Sequence, residues 1–211
     1  KPHIRDALLK GDWYSTPDSF YADAWDPRLH VCRPFKIPDE WPRFRSLDWG
    51  FKTPGRAYWW AVDPDGTMWC YRELCFIEKT DIQVAMLIME VDLAQGLVKH
   101  GRSLLTGPAD TQLWEERGET GRTKASAMAS KGVYWTKADK QSRKHNAEKL
   151  TARLKDHNMG KATPGLVVFA TCREMIKTLP TVQTDPDDIE SPADGGDDHS
   201  HDNALYACAY A

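Results

Sequence analysis

The chain has 211 residues, of which 41% are hydrophobic, and it carries nine tryptophans and a formal net charge of −3. This length suits one sizeable domain, and this composition favours a packed core over disorder. The sequence contains neither an 18-residue apolar run nor a signal peptide, so we expect neither membrane insertion nor secretion. The five cysteines form no CxxC pair and several lie in apolar runs, which favours reduced thiols over disulfides or zinc.

Charge is distributed unevenly along the chain. Residues 121–155 contain ten Lys or Arg and two acids, whereas residues 181–202 contain eight acids and no Lys or Arg. A basic face beside an acidic cluster is what a metal-dependent enzyme acting on a polyanion needs. Two unrelated solvated surfaces would give the same counts, so charge alone leaves both interpretations open.

The first half of the chain predicts an irregular segment followed by an antiparallel sheet. Residues 1–42 are rich in Trp, Pro and Asp and show no clean periodicity, so we interpret them as a lead-in. A first strand is predicted at 43–51. Aromatic-rich runs at 56–63 and 67–76 flank the turn signal "DPDG" and complete a three-stranded meander.

The second half alternates helices with short strands. Thr80 is a predicted N-cap of a helix that runs to Gly101. Strands are predicted at 103–110, 133–138 and 165–170, and helices at 123–132, 142–157 and 172–179, before a last helix that includes "ALYACAY". An antiparallel meander followed by alternating strands and helices indicates an α/β fold with a mixed central sheet flanked by helices.

Three aspartates occupy comparable places in this pattern. Asp48 ends the first strand beside Gly50, Asp110 ends the fourth strand after Gly-Pro, and Asp202 lies near the start of the last helix. Ligands of open α/β sheets collect where strands end. If the first and fourth strands are neighbours, Asp48 and Asp110 converge, and Asp202 can close the site from its helix.

Four motifs in order resemble one known family. These are "RSLDWGFKTPGRAYWWAVDPDGTMWCYRE", "TGPAD", "SKGVYWTKADKQSR" and "DDHSHDNALYACAY". Together they resemble the C-terminal nuclease domain of tailed-phage terminase large subunits, over about residues 43–211. The resemblance implies an RNase H-like fold and a metal-dependent endonuclease that cuts concatemeric viral DNA during packaging. Two departures are Asn203, where alanine is common, and Leu205, where arginine is often found.

The resemblance maps the family's three acids onto Asp48, Asp110 and Asp202. Two Mg²⁺ or Mn²⁺ ions roughly 3.5–4 Å apart would bind the scissile phosphate and activate water, and such hard ions prefer carboxylate oxygens. We expect Asp48 to bridge the ions, with Asp110 and Asp202 on either side. Asp198, one helical turn before Asp202, is a candidate for a fourth, weaker ligand.

Each acid also has a structural interpretation. Asp48 is compatible with a turn, Asp110 and Asp198 with helix N-caps, and Asp202 with a favourable place near a helix N-terminus. Of the two histidines beside it, His199 and His201, at most one is expected to approach the site, because residues two apart point to different sides of a helix.

Six basic residues are candidates for DNA contacts that would be sequence-independent and salt-sensitive. Lys137, Lys140, Arg143 and Lys144 lie around the start of the basic helix, and Lys52 and Arg56 follow Asp48. An ordinary solvated helix face would explain the first four equally well.

The domain interpretation is a lead-in over 1–42, belonging to a missing ATPase domain, and a nuclease over 43–211. No GxxxxGK[ST] phosphate loop occurs, so we expect no ATP hydrolysis from this chain. The expected partners are double-stranded DNA and, by resemblance, the ATPase domain, the portal and the small terminase subunit, with no membrane, in the host bacterial cytoplasm. The rivals are a resolvase- or transposase-like nuclease and a non-catalytic DNA-docking module with structural Ca²⁺.

Overall fold

A seven-stranded mixed sheet organises the protein. The computed structural model describes residues 19–117, 121–139, 143–158, 164–193, 195 and 198–211. The strands of the sheet are β1 (Val31–Cys32), β2 (Arg43–Asp48), β3 (Gly55–Val62), β4 (Met68–Phe76), β7 (Pro108–Ala109), β10 (Thr136–Lys137) and β11 (Leu166–Phe169). Their spatial order is β1-β11-β4-β3-β2-β7-β10.

The predicted meander is confirmed. Strands β2 and β3 pair antiparallel from Arg43 opposite Ala61 to Asp48 opposite Arg56, and β3 pairs antiparallel with β4. The turn between β3 and β4 is closed by Asp63, whose Oδ1 accepts hydrogen bonds from the backbone N–H groups of Asp65 and Thr67. The remaining strands add in parallel on both sides, which confirms the mixed sheet.

The predicted strand 103–110 is shorter in the structure. Only Pro108–Ala109 joins the sheet, as β7, because Arg102–Ser103 (β6) forms a separate hairpin with Val98–Lys99 (β5). A second hairpin pairs β8 (Glu116–Arg117) with β9 (Arg122–Thr123). Strand β7 approaches β2 closely at Gly107, where a β-carbon would overlap the carbonyl oxygen of Arg45.

The helices follow the predicted order with one wrong boundary. Their bounds are α1 (Pro27–His30), α2 (Asp81–Ala94), α3 (Lys124–Ala129), α4 (Arg143–Asn158), α5 (Arg173–Thr178) and α6 (His199–Tyr210), with 3-10 turns at Thr111–Trp114 and Leu179–Thr181. Thr80 caps α2, as predicted, and the structure adds a capping box with Gln83. The helix ends at Ala94 rather than Gly101, because Gly96 takes a φ of 71° and the chain turns into β5.

Helices cover both faces of the sheet. Tyr58 donates to Ser200 Oγ of α6 at 2.8 Å, whereas the indole of the next residue, Trp59, donates to Asp92 of α2 at 2.7 Å. Successive residues of a strand point to opposite faces. Helices α6 and α2 therefore pack on opposite faces of the meander, and the core lies between them and the sheet.

Part of the predicted lead-in packs against the sheet and its helices. Strand β1 pairs with β11, and Tyr21 and His30 are buried, while residues 1–18 lie outside the described part of the chain. None of the helices described is long and apolar enough to cross a membrane. All five cysteines are free, with Cys70, Cys172 and Cys208 buried and Cys75 exposed.

Candidate active site

Asp48 and Asp110 meet at the end of two neighbouring parallel strands. Leu47 of β2 pairs with Ala109 of β7, and the Asp110 N–H donates to the Leu47 carbonyl oxygen at 2.9 Å. The residues that follow this pair, Asp48 and Asp110, are each 4% exposed. Asp110 also caps the next 3-10 turn by accepting from the Gln112 N–H at 3.1 Å. Capping uses Oδ1 of this carboxylate, so the structural and the metal-binding interpretation are compatible.

Asp202 approaches the other two acids from the first turn of α6. Asn203 anchors this turn to β3, because its buried amide donates to the Arg56 carbonyl oxygen at 2.6 Å. One turn later, burial raises the pKa of Tyr206, and the charges of Asp48, Asp110 and Asp202 raise it further. Asp202 lies three residues after His199, whose ring contacts Asp48, so helical spacing puts both side chains on the same side of α6.

The environment of Asp48 is unfavourable for a bare carboxylate. Its pKa is raised to about 6, chiefly by burial and also by the charges of Asp110 and Asp202, against the lowering effect of His199. A buried carboxylate beside two others is stabilised by positive charge, whether from a side chain or from a cation.

The two histidines of α6 point to different partners, as predicted. His199 Nδ1 lies 2.5 Å from Asp48 Oδ2, and this contact raises the pKa of His199. His201 is fully buried, and its Nε2 lies 2.7 Å from the Tyr21 hydroxyl. His199 thus belongs to the site, and His201 fastens the segment near Tyr21 to α6.

Arg143 at the start of α4 joins the acids of α6. Its Nη2 lies 3.1 Å from Asp198 Oδ2 and 3.0 Å from Asp202 Oδ1. Burial opposes ionisation of Asp202, but His201 and Arg143 outweigh it and lower the pKa of this carboxyl. Asp139, Asp198 and Asp202 line a cavity of about 440 Å³ together with Tyr206. A larger cavity, of about 700 Å³, is lined by Phe35, Tyr71 and Gln95 among others and includes none of the candidate ligands.

The residues present fit a hard divalent cation. The converging donors are carboxylate oxygens, which Mg²⁺ and Mn²⁺ prefer. Asp202 Oδ1 is buried, with Arg143 Nη2 at 3.0 Å and His201 Nδ1 at 3.4 Å, and among the described residues no donor is well aligned with it. Within those residues, no three His, Cys, Asp or Glu side chains already form a metal cluster. The carboxylates approach one another, and Arg143 and His199 balance part of their charge.

The six predicted DNA-contacting residues separate into four groups. Lys137 on β10 and Lys52 after β2 are exposed. Arg143 and Lys144 make ion pairs with acids, and Lys140 lies outside the described residues. Arg56 is 2% exposed and its guanidinium bonds Glu174 at 3.1 Å, so it supports α5 instead of facing DNA.

Sequence reasoning did not single out Tyr206 or Asp139 as neighbours of the site. Tyr206 lies one turn after Asp202 in the same helix, so helical spacing is a signal that points to it. Asp139 follows β10 and lines the cavity together with Asp198 and Asp202, and the sequence carries no local signal that brings these residues together.

Similar proteins are found among solved structures. No family model matches the sequence, and no curated protein matches it either. The nuclease domain of the P22 large terminase superposes with a TM-score of 0.67 at 15% identity, over 88% of this chain and 89% of that chain. The fold is that of a large-terminase nuclease domain. The expected RNase H-like architecture is thereby confirmed.

Two further terminase structures share this fold. The large terminase of the thermophilic bacteriophage D6E, in complex with ATP-gamma-S, has a TM-score of 0.66 and 18% identity over 91% of this chain. The chain spans only 45% of that protein. The large terminase nuclease of the thermophilic phage G20c, with bound cobalt, has a TM-score of 0.58 and 7% identity over 92% of this chain and 97% of that one.

Proposed function

We propose that this chain is the nuclease domain of a viral DNA-packaging terminase, a divalent-metal-dependent endonuclease that cleaves double-stranded concatemeric DNA. The observation that carries this proposal is the arrangement of three carboxylates in a fold shared with terminase nucleases. Asp48 and Asp110 follow two paired strands, and Asp202 lies on the helix whose His199 contacts Asp48. The cobalt bound in the G20c nuclease supports the metal requirement.

Each side chain has a distinct role in this reaction. Mg²⁺ or Mn²⁺ ions, two in number, would neutralise charge on the scissile phosphate and lower the pKa of the attacking water. Asp48, Asp110 and Asp202 would hold the ions, with Asp198 in support. The contact of His199 with Asp48 Oδ2 fixes the orientation of this carboxylate.

Phosphate contacts would come from the exposed cations at the edge of the site. Lys137 pairs across the strands with Ala109, the residue before Asp110, and Lys52 lies four residues after Asp48. In the whole protein we expect an ATPase domain, the portal and the small subunit as partners, in the cytoplasm of the bacterial host. The phosphate contacts of Lys137 and Lys52 are independent of DNA sequence, so the domain itself would cut with little selectivity.

The test is cleavage of supercoiled plasmid with Mn²⁺ or Mg²⁺. We expect nicking that EDTA abolishes and that Asp48→Asn, Asp110→Asn and Asp202→Asn each reduce by roughly 100-fold. Asp65→Asn, an exposed acid of the β3–β4 turn, is the control that keeps full activity. Nicking that survives Asp48→Asn would sink the assignment. Binding of DNA without nicking in any divalent ion would favour a docking module, and strong preference for branched DNA would favour a resolvase.

A further inference from the structure

The connection between β2 and β3 forms a protruding loop directly beside Asp48. Its base is marked by Asp48, which pairs with Arg56 across the two strands. The loop closes at Gly50 and Gly55, because a β-carbon on Gly50 would overlap the Thr53 carbonyl oxygen, and one on Gly55 would overlap the Phe76 ring. Only glycines permit so narrow a base.

The narrow base turns the four residues of the tip outward. Phe51 is 47% exposed, and Lys52, Thr53 and Pro54 are exposed as well. The tip is held by its backbone, since the Glu78 N–H donates to the Phe51 carbonyl oxygen at 2.8 Å. At the base, the buried Trp49 packs against Phe76 with ring centroids 5.8 Å apart. An aromatic ring and an ammonium group are therefore presented on a fixed support.

We propose that this tip, Phe51 with Lys52, contacts DNA and positions the duplex over Asp48. The inference rests on the proposed function, because it uses the nearness of the tip to the carboxylate site. Phe51 packs against deoxyribose and base edges in the minor groove, where apolar side chains make sequence-tolerant contacts. Lys52 meets a neighbouring phosphate. A cation and an aromatic ring on adjacent residues match the alternating charge and apolar surface of a DNA strand.

The same pair would not serve a catalytic role. Among the described residues, neither side chain contacts the carboxylates, and a Phe ring neither transfers protons nor binds hard ions. The two residues would act through binding, so their loss changes DNA affinity and leaves the metal site intact.

The test measures affinity for a short blunt duplex by fluorescence anisotropy, with Ca²⁺ in place of Mn²⁺, across a range of salt concentrations. We expect Phe51→Ala to weaken binding roughly 5- to 20-fold without changing the salt dependence. Phe51→Trp, which keeps an aromatic ring, should bind DNA as tightly as the unsubstituted protein. Lys52→Gln should weaken binding and reduce the slope of log K against log [salt] by about 0.9, the value for one lost phosphate contact.

Leu93→Ala is the matched control, because Leu93 is 67% exposed on α2 and apolar but lies away from the loop. It should leave affinity and slope unchanged. Equal affinity of Phe51→Ala and the unsubstituted protein would overturn the proposal and leave Phe51 as a contact for another protein. An equal loss in Leu93→Ala would overturn it too. Binding is measured without cleavage, so failure of the nuclease proposal would show separately, in the plasmid assay.

Discussion

Asp48 shows how a single carboxylate is prepared for a cation. Burial and two like charges make its ionised form costly, and His199 offsets part of that cost through a contact of 2.5 Å. A hydrogen bond to one carboxylate oxygen also fixes the orientation of the other, and such supporting partners tune ligand affinity for metals. His199 is therefore a positioning residue for Asp48.

This role predicts different effects of two amide substitutions at His199. The contact uses Nδ1, whose position an Asn amide nitrogen reproduces and a Gln amide nitrogen does not. We expect His199→Gln to weaken Mn²⁺ binding about 10-fold and His199→Asn to retain most of the affinity, as measured by calorimetry without DNA. Equal losses in both variants would contradict a hydrogen-bonding role, and thermal melts of each would reveal any loss of folding.

At the scale of elements, an acidic turn faces the basic start of α4. The turn is organised by its own aspartates, since Asp185 accepts from the Asp187 and Asp188 N–H groups. Lys144 Nζ lies 2.8 Å from Glu190 Oε2 and 3.2 Å from Asp188 Oδ2. These carboxylates pair with a cation that is predicted to bind phosphate, so DNA would have to compete with the acidic turn for Lys144.

The competition predicts that Glu190→Gln raises affinity for duplex DNA. Exposed ion pairs contribute at most about 1 kcal/mol, so the gain should be roughly 2- to 5-fold at low salt and vanish at high salt. Asp187→Asn is the control, because it removes the same charge from the same turn, and the structure gives its carboxylate no contact with Lys144. A gain as large in Asp187→Asn would mean that only the overall field changes.

At the scale of the whole molecule, local and long-range signals differ in how well the sequence predicts them. The "DPDG" turn and the N-cap at Thr80 are local and were predicted correctly. The end of α2 was not, because residues 95–101 keep an apolar pattern while Gly96 breaks the helix. Strand β1 was missed because two residues carry no period, and they are ordered only by pairing with β11.

The candidate site divides in the same way. Strand ends and helical spacing indicated Asp48, Asp110 and Asp202, and whether they bind metal stays a prediction. The contacts of His199 with Asp48 and of Arg143 with Asp202 depend on how α6 and α4 pack, and no sequence spacing encodes that packing. Arg56 shows the reverse case, since its place after Asp48 suggested a DNA contact and packing buries it against Glu174.

We expect His30 to make the stability of the whole fold depend on pH, because it joins the segment before the sheet to α4. Its Nε2 lies 3.1 Å from the Leu154 carbonyl oxygen and its Nδ1 accepts from the Asp26 N–H, while His157 and Asp26 are the titratable groups nearby. Burial lowers the pKa of His30 in the folded protein. Below about pH 6.5, the ordinary pKa of histidine, the unfolded chain therefore binds a proton more readily than the folded protein does, and stability falls as the pH drops. The free energy of unfolding should therefore decrease between pH 7.5 and 5.5 by up to about 1.4 kcal/mol more than in His30→Gln, whose amide does not titrate. Urea melts at both pH values measure this difference, and equal pH dependence of the two proteins would contradict it.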